Sequence, residues 1–352
     1  MTYKFYVVVP TYGRPDLLKR AIESVLRQNY SNWHLIVGSE DTSTSTWNVI
    51  MKFKQKLGGK MSIIKLPPHL RGPNRIRNLG IILALKMSDD PKNDFIMFLD
   101  DDDYLYSSDV LSKFLSIIKA YPEYYIYSFD SIDINGRLYA SRPSGDINIY
   151  SYFRTKGPSD VAAVQRLNIY LEMGEKALLP WNLLGYEGIT ACQIYLWCFK
   201  NNKKCAIHIT GIIGKVMDTR TESLTRRTYL DKMGIIQHAR GLRKFFMLCG
   251  KACREYSPAT YGEYLLKYSR ILALLGYKNY ALRNFFRGIF YIYRGVVHSR
   301  ENFYNTREFI LKIMQLLLIC LLSFLDNKLQ LNNALLRFRN NIIKKFEIVD
   351  IR

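Results

Sequence analysis

Four consecutive aspartates, Asp100-Asp101-Asp102-Asp103, follow the apolar run Phe95-Ile96-Met97-Phe98-Leu99. Adjacent carboxylates repel one another, and at the end of a buried strand they require a compensating cation. Hard oxygen donors of this kind suit Mg²⁺ or Mn²⁺, which can bridge one or two carboxylates to a phosphate. An isolated acidic run reads more simply as a solvated turn. Its place after a strand, in a chain that is otherwise basic, favours the cation here. A second set of residues, Arg71, Arg75 and Arg77, lies in a segment that opens a helix. Their guanidinium groups, with the helix N-terminal amides, could clamp a diphosphate or else line an ordinary solvated face.

The elements that must position these residues follow from periodicity. Lys4–Val9 reads as a buried strand, and Pro15 and Asp16 open a helix whose Leu17, Leu18, Ala21, Ile22, Val25 and Leu26 recur at helical spacing. Trp33–Gly38, Ser62–Leu66 and Asp94–Leu99 read as further strands, separated by helices around Trp47–Leu57 and Asn74–Met87. This alternation predicts an α/β architecture: a mixed, mostly parallel sheet with helices on both faces. A helix over Ser108–Ala120 precedes Tyr124–Ile134 and an Asn135-Gly136 turn, the signal of an antiparallel hairpin. Residues 140–180 read as loop-rich with short elements, Glu187–Asn201 as a helix and Cys205–Ile209 as a strand. Beyond about residue 228 the pattern is helical, which places a boundary near residue 225 between residues 1–225 and an all-helical extension over residues 226–352.

In open α/β sheets ligands bind beyond the carboxyl ends of the strands. Those ends here are Pro10-Thr11-Tyr12-Gly13-Arg14, Ser39-Glu40-Asp41 and Asp100–Asp103, with Arg71–Asn78 just after the third strand. Residues 7–28, Gly72–Gly80 with Arg77-Asn78, and Phe98–Asp103 together resemble glycosyltransferase family 2, which has the GT-A nucleotide-sugar fold, over roughly residues 4–225. The resemblance implies an inverting, metal-dependent transfer of a sugar from a nucleotide-sugar donor, UDP-linked by preference, to a hydroxyl of a glycan or polyprenyl-linked acceptor in surface polysaccharide biosynthesis. It implies that Pro10, Thr11, Tyr12, Arg14, Glu40, Asp41, Arg77 and Asp101 hold the nucleotide, and that Asp100 and Asp102 hold Mg²⁺ or Mn²⁺. The family's base lies in a Glu-Asp pair; this chain has Glu187 followed by Gly188, so Glu187 is the expected general base. Where the family often carries a His before Ser-Leu, this chain has Arg220, which cannot ligate a metal but can neutralise a diphosphate. The lost second carboxylate leaves open a catalytically weak nucleotide-sugar-binding relative.

Charge separates the two halves. The chain of 352 residues carries 51 Lys and Arg against 30 Asp and Glu, a net +21, and residues 221–352 contribute 23 basic and 9 acidic side chains. Such a tail fits an anionic membrane surface or a nucleic acid. Aromatic and cationic side chains interleave through it, and residues 309–325 form its most apolar stretch. An RNA-binding role is the rival reading, but no RNA motif is present and it leaves Asp100–Asp103 unexplained. No nucleic acid partner is therefore expected. The six cysteines show no Cys-x-x-Cys pair, and Phe5–Val9 is too short for a signal-peptide core. The expected location is the cytoplasm, peripheral on the inner face of the cell membrane.

Overall fold

A computed structural model describes residues 2–67, 70, 72–140, 144–155, 163–183, 186–219 and 232–298. The chain divides into two compact units, residues 1–229 with 244–252, and residues 230–243 with 253–352.

The first unit is built on a ten-stranded mixed sheet. Its strands are β1 (Lys4–Thr11), β2 (Trp33–Ser39), β3 (Met61–Lys65), β4 (Asp94–Phe98), β5 (Tyr104–Leu105), β6 (Ile126–Asp133), β7 (Leu138–Ala140), β8 (Gly145–Ile147), β9 (Ala163–Arg166) and β10 (Ala206–Met217). The order across the sheet is β3-β2-β1-β4-β9-β6-β10-β5, with β7 on β6 and β8 on β10. β1 pairs in parallel with β2 and β4, and β2 with β3. This half carries continuous apolar runs, as expected of strands covered on both faces. Phe5, Val7 and Val9 enter one core with Leu18 and Ile22 of α1 (Pro15–Leu26) and Phe114 of α4 (Val110–Ala120). Val8 points the other way, against α3 (Pro73–Met87).

α3 can lie that close because two glycines admit it. A Cβ at Gly38 would stand 2.2 Å from Ile76 Cγ2, and one at Gly80 would stand 2.7 Å from Val8 Cγ1. The remaining helices of this unit are α2 (Thr44–Leu57), α5 (Ile149–Thr155), α6 (Ile169–Met173) and α7 (Glu187–Lys200). The fold is thus the mixed α/β arrangement with helices on both faces that the alternation predicts.

The hairpin at Asn135-Gly136 forms as β6–β7, with Gly136 at φ +76° and its N–H on Asp133 O at 3.0 Å. The stretch read as loop-rich with short elements, residues 140–180, holds β8, α5 (Ile149–Thr155), β9 and α6 (Ile169–Met173) among the described residues. It contributes β9, which runs antiparallel to both β4 and β6 and sits between them. Four residues are too few to show a period, so the strand leaves no mark in the hydrophobic pattern. β10 is also longer than the strand read over Cys205–Ile209, because a bulge between Ile209 and Ile213 lets it resume pairing with β6.

Among the described residues the second unit is helical. The described helices after β10 are α8 (Lys232–Leu248), α9 (Gly250–Tyr256), α10 (Pro258–Leu274) and α11 (Lys278–His298), of which residues 244–252 belong to the first unit. α10 and α11 form a close antiparallel pair. A Cβ at Gly262 would stand 2.5 Å from Gly288 O, and Ser269 Oγ donates to Ala281 O at 2.6 Å. Leu266, Phe285 and Ile292 fill the seam. Among the described residues no helix is long and apolar enough to cross a membrane. Residues 309–325 lie outside the described residues.

Candidate active site

The acidic run turns immediately after β4, and its side chains alternate. Asp101 and Asp103 point inward, with side chains 1% and 4% exposed, while Asp100 and Asp102 reach solvent at 31% and 18%. Each meets a cation. Arg14 forms an ion pair with Asp101 and reaches Asp102 Oδ2 at 2.6 Å, and Thr11 Oγ1 donates to Asp101 Oδ2 at 2.7 Å. Lys215 Nζ lies 2.6 Å from Asp103 Oδ2. Burial alone would lower the Lys215 pKa, but Asp103 and Asp100 outweigh it and raise it, so the ammonium stays charged. Burial pushes Asp101 up to about 7 despite Arg14 and Thr11. Asp100 moves the opposite way: Arg77, Lys215 and Arg14 overcome its burial and hold it below the usual carboxylate range.

Arg77, on the first turns of α3, is the hub of the site. It is 3% exposed, and its guanidinium donates to Asn74 Oδ1 at 3.1 Å, to Glu187 Oε1 at 3.0 Å and to Asp100 Oδ1 at 2.5 Å. One buried cation therefore joins the acidic run to the first residue of α7. The same helix fixes the segment leading there. Asn78 exchanges two hydrogen bonds with the Leu179 backbone, and Asn74 Nδ2 donates to Leu183 O at 3.1 Å. Arg75 Nη2 donates to Asn182 Oδ1 at 2.8 Å. Tyr186, just before α7, sits in the left-handed region at φ 65°, a conformation a tyrosine adopts only where its surroundings impose it. Tyr152 Oη donates to Gly188 O at 2.8 Å and pins the same turn. Glu187 thus stands at a helix N-terminus with its side chain 20% exposed.

The other expected residues fall around this core. Pro10 is buried opposite Gly38 in the β1–β2 ladder, and Tyr12 is exposed. Glu40 Oε2 accepts the Gly72 N–H at 2.7 Å, which ties the end of β2 to the start of α3. Asp41 accepts from Gly13 N at 3.0 Å, Ser43 N at 2.9 Å and Thr46 Oγ1 at 2.6 Å. Burial alone would raise its pKa, but the bonds from Ser43, Thr46 and Gly13 outweigh it and bring it down to about 2. That stabilisation is complete above about pH 4, the unfolded value, and is lost as pH falls through the folded one. Asp41→Asn is expected to cost about 2 kcal/mol at neutral pH and to flatten the acid dependence of unfolding between about pH 4 and about pH 2. Urea denaturation across that range checks it; an acid dependence matching the wild type would refute it. Arg71 and Arg220 lie outside the described residues.

Two contacts were not anticipated. Lys215 is the one cationic residue in the β10 sequence, and a lone cation in a buried strand is itself a sign of a carboxylate partner. Arg20 of α1 donates to Asp218 Oδ2 at 2.9 Å and to Asp102 O at 2.6 Å, and lies over the Tyr104 ring.

Five carboxylates, Asp100–Asp103 and Glu187, face three cations, Arg14, Arg77 and Lys215. The cluster keeps a negative excess, and its two outward carboxylates are hard oxygen donors two residues apart. Carboxylate oxygens are the donor type a small divalent cation takes, and here both carboxylates are also engaged by Arg77 and Arg14. Among the described residues no three His, Cys, Asp or Glu side chains are arranged to hold a metal unaided.

Comparison with known proteins adds the following. Residues 6–179 match the family described as glycosyl transferase family 2. The chain is 33% identical over 104 residues to the GalNAc(5)-diNAcBac-PP-undecaprenol β-1,3-glucosyltransferase of Campylobacter jejuni, covering 30% of this chain and 31% of that protein. It is 31% identical over 103 residues to WfgD of Escherichia coli, a UDP-Glc:α-D-GlcNAc-diphosphoundecaprenol β-1,3-glucosyltransferase, covering 29% and 36%. The chain spans about a third of the length of these curated relatives. Residues 1–349 of Staphylococcus aureus TarS superpose with a TM-score of 0.53 at 14% identity, covering 86% of this chain and 93% of that one. The same TarS fragment is solved with UDP-GlcNAc. At that identity the likeness speaks for the fold, which is of the GT-A type.

Proposed function

Because residues 6–179 match glycosyl transferase family 2, we propose that the chain is a member of that family and transfers a sugar from a UDP-sugar to a hydroxyl of a lipid-linked glycan, with inversion, in surface polysaccharide assembly. The observation that carries this reading is the Asp100–Arg77–Glu187 chain, which joins a phosphate-side carboxylate to a base candidate through one buried guanidinium. UDP is favoured because TarS is solved with UDP-GlcNAc and WfgD is named for UDP-Glc. A polyprenyl diphosphate acceptor is favoured because both curated relatives are named for one.

The residues divide the work as follows. The β1 end with Tyr12 and Arg14, and the β2 end braced by Glu40 and Asp41, form the nucleotide crevice. Asp100 and Asp102 would hold Mg²⁺ or Mn²⁺, which when bound offsets the charge of the diphosphate and of its departure. Arg77 orients Glu187 by fixing Oε1, so the carboxylate can receive the acceptor hydroxyl proton. As the acceptor oxygen bonds to the anomeric carbon, the bond from that carbon to the diphosphate oxygen breaks. Its electron pair leaves with UDP, and a single displacement inverts the centre. Arg14 adds positive charge near the leaving diphosphate. The chain would work at the inner face of the membrane, held peripherally by its basic helical region.

The test is turnover of UDP-Glc and UDP-GlcNAc by the full chain with a polyprenyl-diphosphate-linked sugar as acceptor. UDP release and a glycolipid product are expected with Mn²⁺, lost in EDTA and restored by excess Mn²⁺. Absence of product together with no thermal stabilisation by any UDP-sugar in Mn²⁺ would overturn the reading.

A further inference from the structure

α11 carries three distinct faces. At about 100° per residue, Ala281, Phe285, Gly288 and Ile292 share the side packed against α10. Leu282, Phe286, Phe290 and Tyr293 fall in the next sector, about 80° wide, and are 45%, 61%, 57% and 61% exposed. Arg283, Arg287 and Arg294 occupy the sector beyond it, about 40° wide, and are also exposed. No acidic residue occurs anywhere in Lys278–His298.

Burial on α10 accounts for the first face alone. Four large apolar side chains left in water beside a strip of arginines form an unusual surface for a helix already packed on one side. The segregation of apolar from cationic residues along a convex helix is that of an interfacial helix. Its apolar strip enters the boundary between headgroups and acyl chains while its cations meet lipid phosphates. Single-stranded nucleic acid instead favours a grooved platform on which bases stack between charged walls. α11 offers a ridge, with its arginines on one strip between the apolar strip and the exposed Tyr280.

We infer that α11 is the membrane-docking element of this protein, seating Leu282, Phe286, Phe290 and Tyr293 in an anionic bilayer surface with Arg283, Arg287 and Arg294 on the lipid phosphates. The inference rests on the peripheral location proposed above and names the surface responsible. It also removes any need for a spanning segment among the described residues.

The experiment is co-sedimentation of the full chain with phosphatidylglycerol vesicles and with phosphatidylcholine vesicles. Wild type is expected to partition to the former. The triple variant Arg283→Gln/Arg287→Gln/Arg294→Gln is expected to partition on the order of a hundredfold more weakly, given the contribution of each basic residue near an anionic surface. Phe286→Ser/Phe290→Ser is expected to weaken partition at high salt, where charge attraction is screened. UDP affinity, helical circular dichroism and the thermal unfolding midpoint are expected to be unchanged in both variants, which shows that they remain folded. Wild-type partition by both variants would overturn the role of α11 while leaving the peripheral location standing; no partition by the wild type would overturn both. A drop in oligomeric mass in the phenylalanine variant, with partition intact, would assign the face to a second copy. Loss of an oligonucleotide gel shift in the arginine variant, with partition intact, would assign it to nucleic acid. Either result overturns the inference.

Discussion

Replacing Glu187 by Gln is expected to lower kcat about 10²- to 10⁴-fold, the usual worth of a positioned proton acceptor, while leaving UDP affinity within a few-fold of wild type. The amide keeps the size of the side chain, and its oxygen can still accept from Arg77 Nη1, 3.0 Å from Glu187 Oε1. The placement of the residue should survive, because Tyr152, Asn74 and Asn78 hold the surrounding turn through bonds that do not involve its carboxylate. What the amide cannot do is accept the acceptor hydroxyl proton at neutral pH. Steady-state transfer measured beside UDP titration separates the two effects. Near-full transfer by the variant would remove Glu187 from the role of base. The absence of a second carboxylate sharpens the test, since residue 188 is glycine.

A second large effect is expected at Asp102. Asp102→Asn should weaken UDP binding in Mn²⁺ by about 10²- to 10³-fold and leave the weaker binding seen in EDTA almost unchanged, since a bound cation contributes several kcal/mol of charge stabilisation. Asp102 is suited to the comparison because Arg14 retains Asp101 as a partner when the Asp102 carboxylate is lost. Its backbone carbonyl, which accepts from Arg20 at 2.6 Å, is untouched by the substitution. Calorimetric titration of UDP with and without Mn²⁺ reads the difference. Equal affinities for the variant and the wild type in Mn²⁺ would assign the cation elsewhere or to no role.

The parts of the site that were legible in the sequence are those with local causes. A proline-opened helix after an apolar strand, four aspartates after another, and an Asn-Gly turn each carry their explanation within a few residues, and each lies where expected. Arg77 was legible as a cation near a helix start, yet its partners were not: Asp100 and Glu187 lie 23 and 110 residues away, and only the packing of α3 at Gly38 and Gly80 brings them together. Tyr186 is the clearest case of a feature without a local signal. Its left-handed backbone is imposed by the bonds that α3 makes to residues 179–183, and nothing in the tyrosine foretells it. Lys215 lies between these cases. A cation inside an apolar strand announces that it has a partner, but the bulge in β10 that sets its register with Asp103 depends on tertiary pairing.

β9 bears on how such a chain leaves the ribosome. β4 and β6 do not pair with each other; the four residues Ala163–Arg166 are what joins the parallel half of the sheet, with the acidic run at its end, to the half that carries Lys215. Until residue 166 has emerged, β4 and β6 each keep an unpaired apolar edge of the kind that invites association, and β10, the other partner of β6, follows later still. A premature stop between residues 140 and 162 leaves the acidic run without β9 and also without Glu187 and Lys215, which follow it in the chain. The acidic run therefore waits for its last cation until residue 215 has followed.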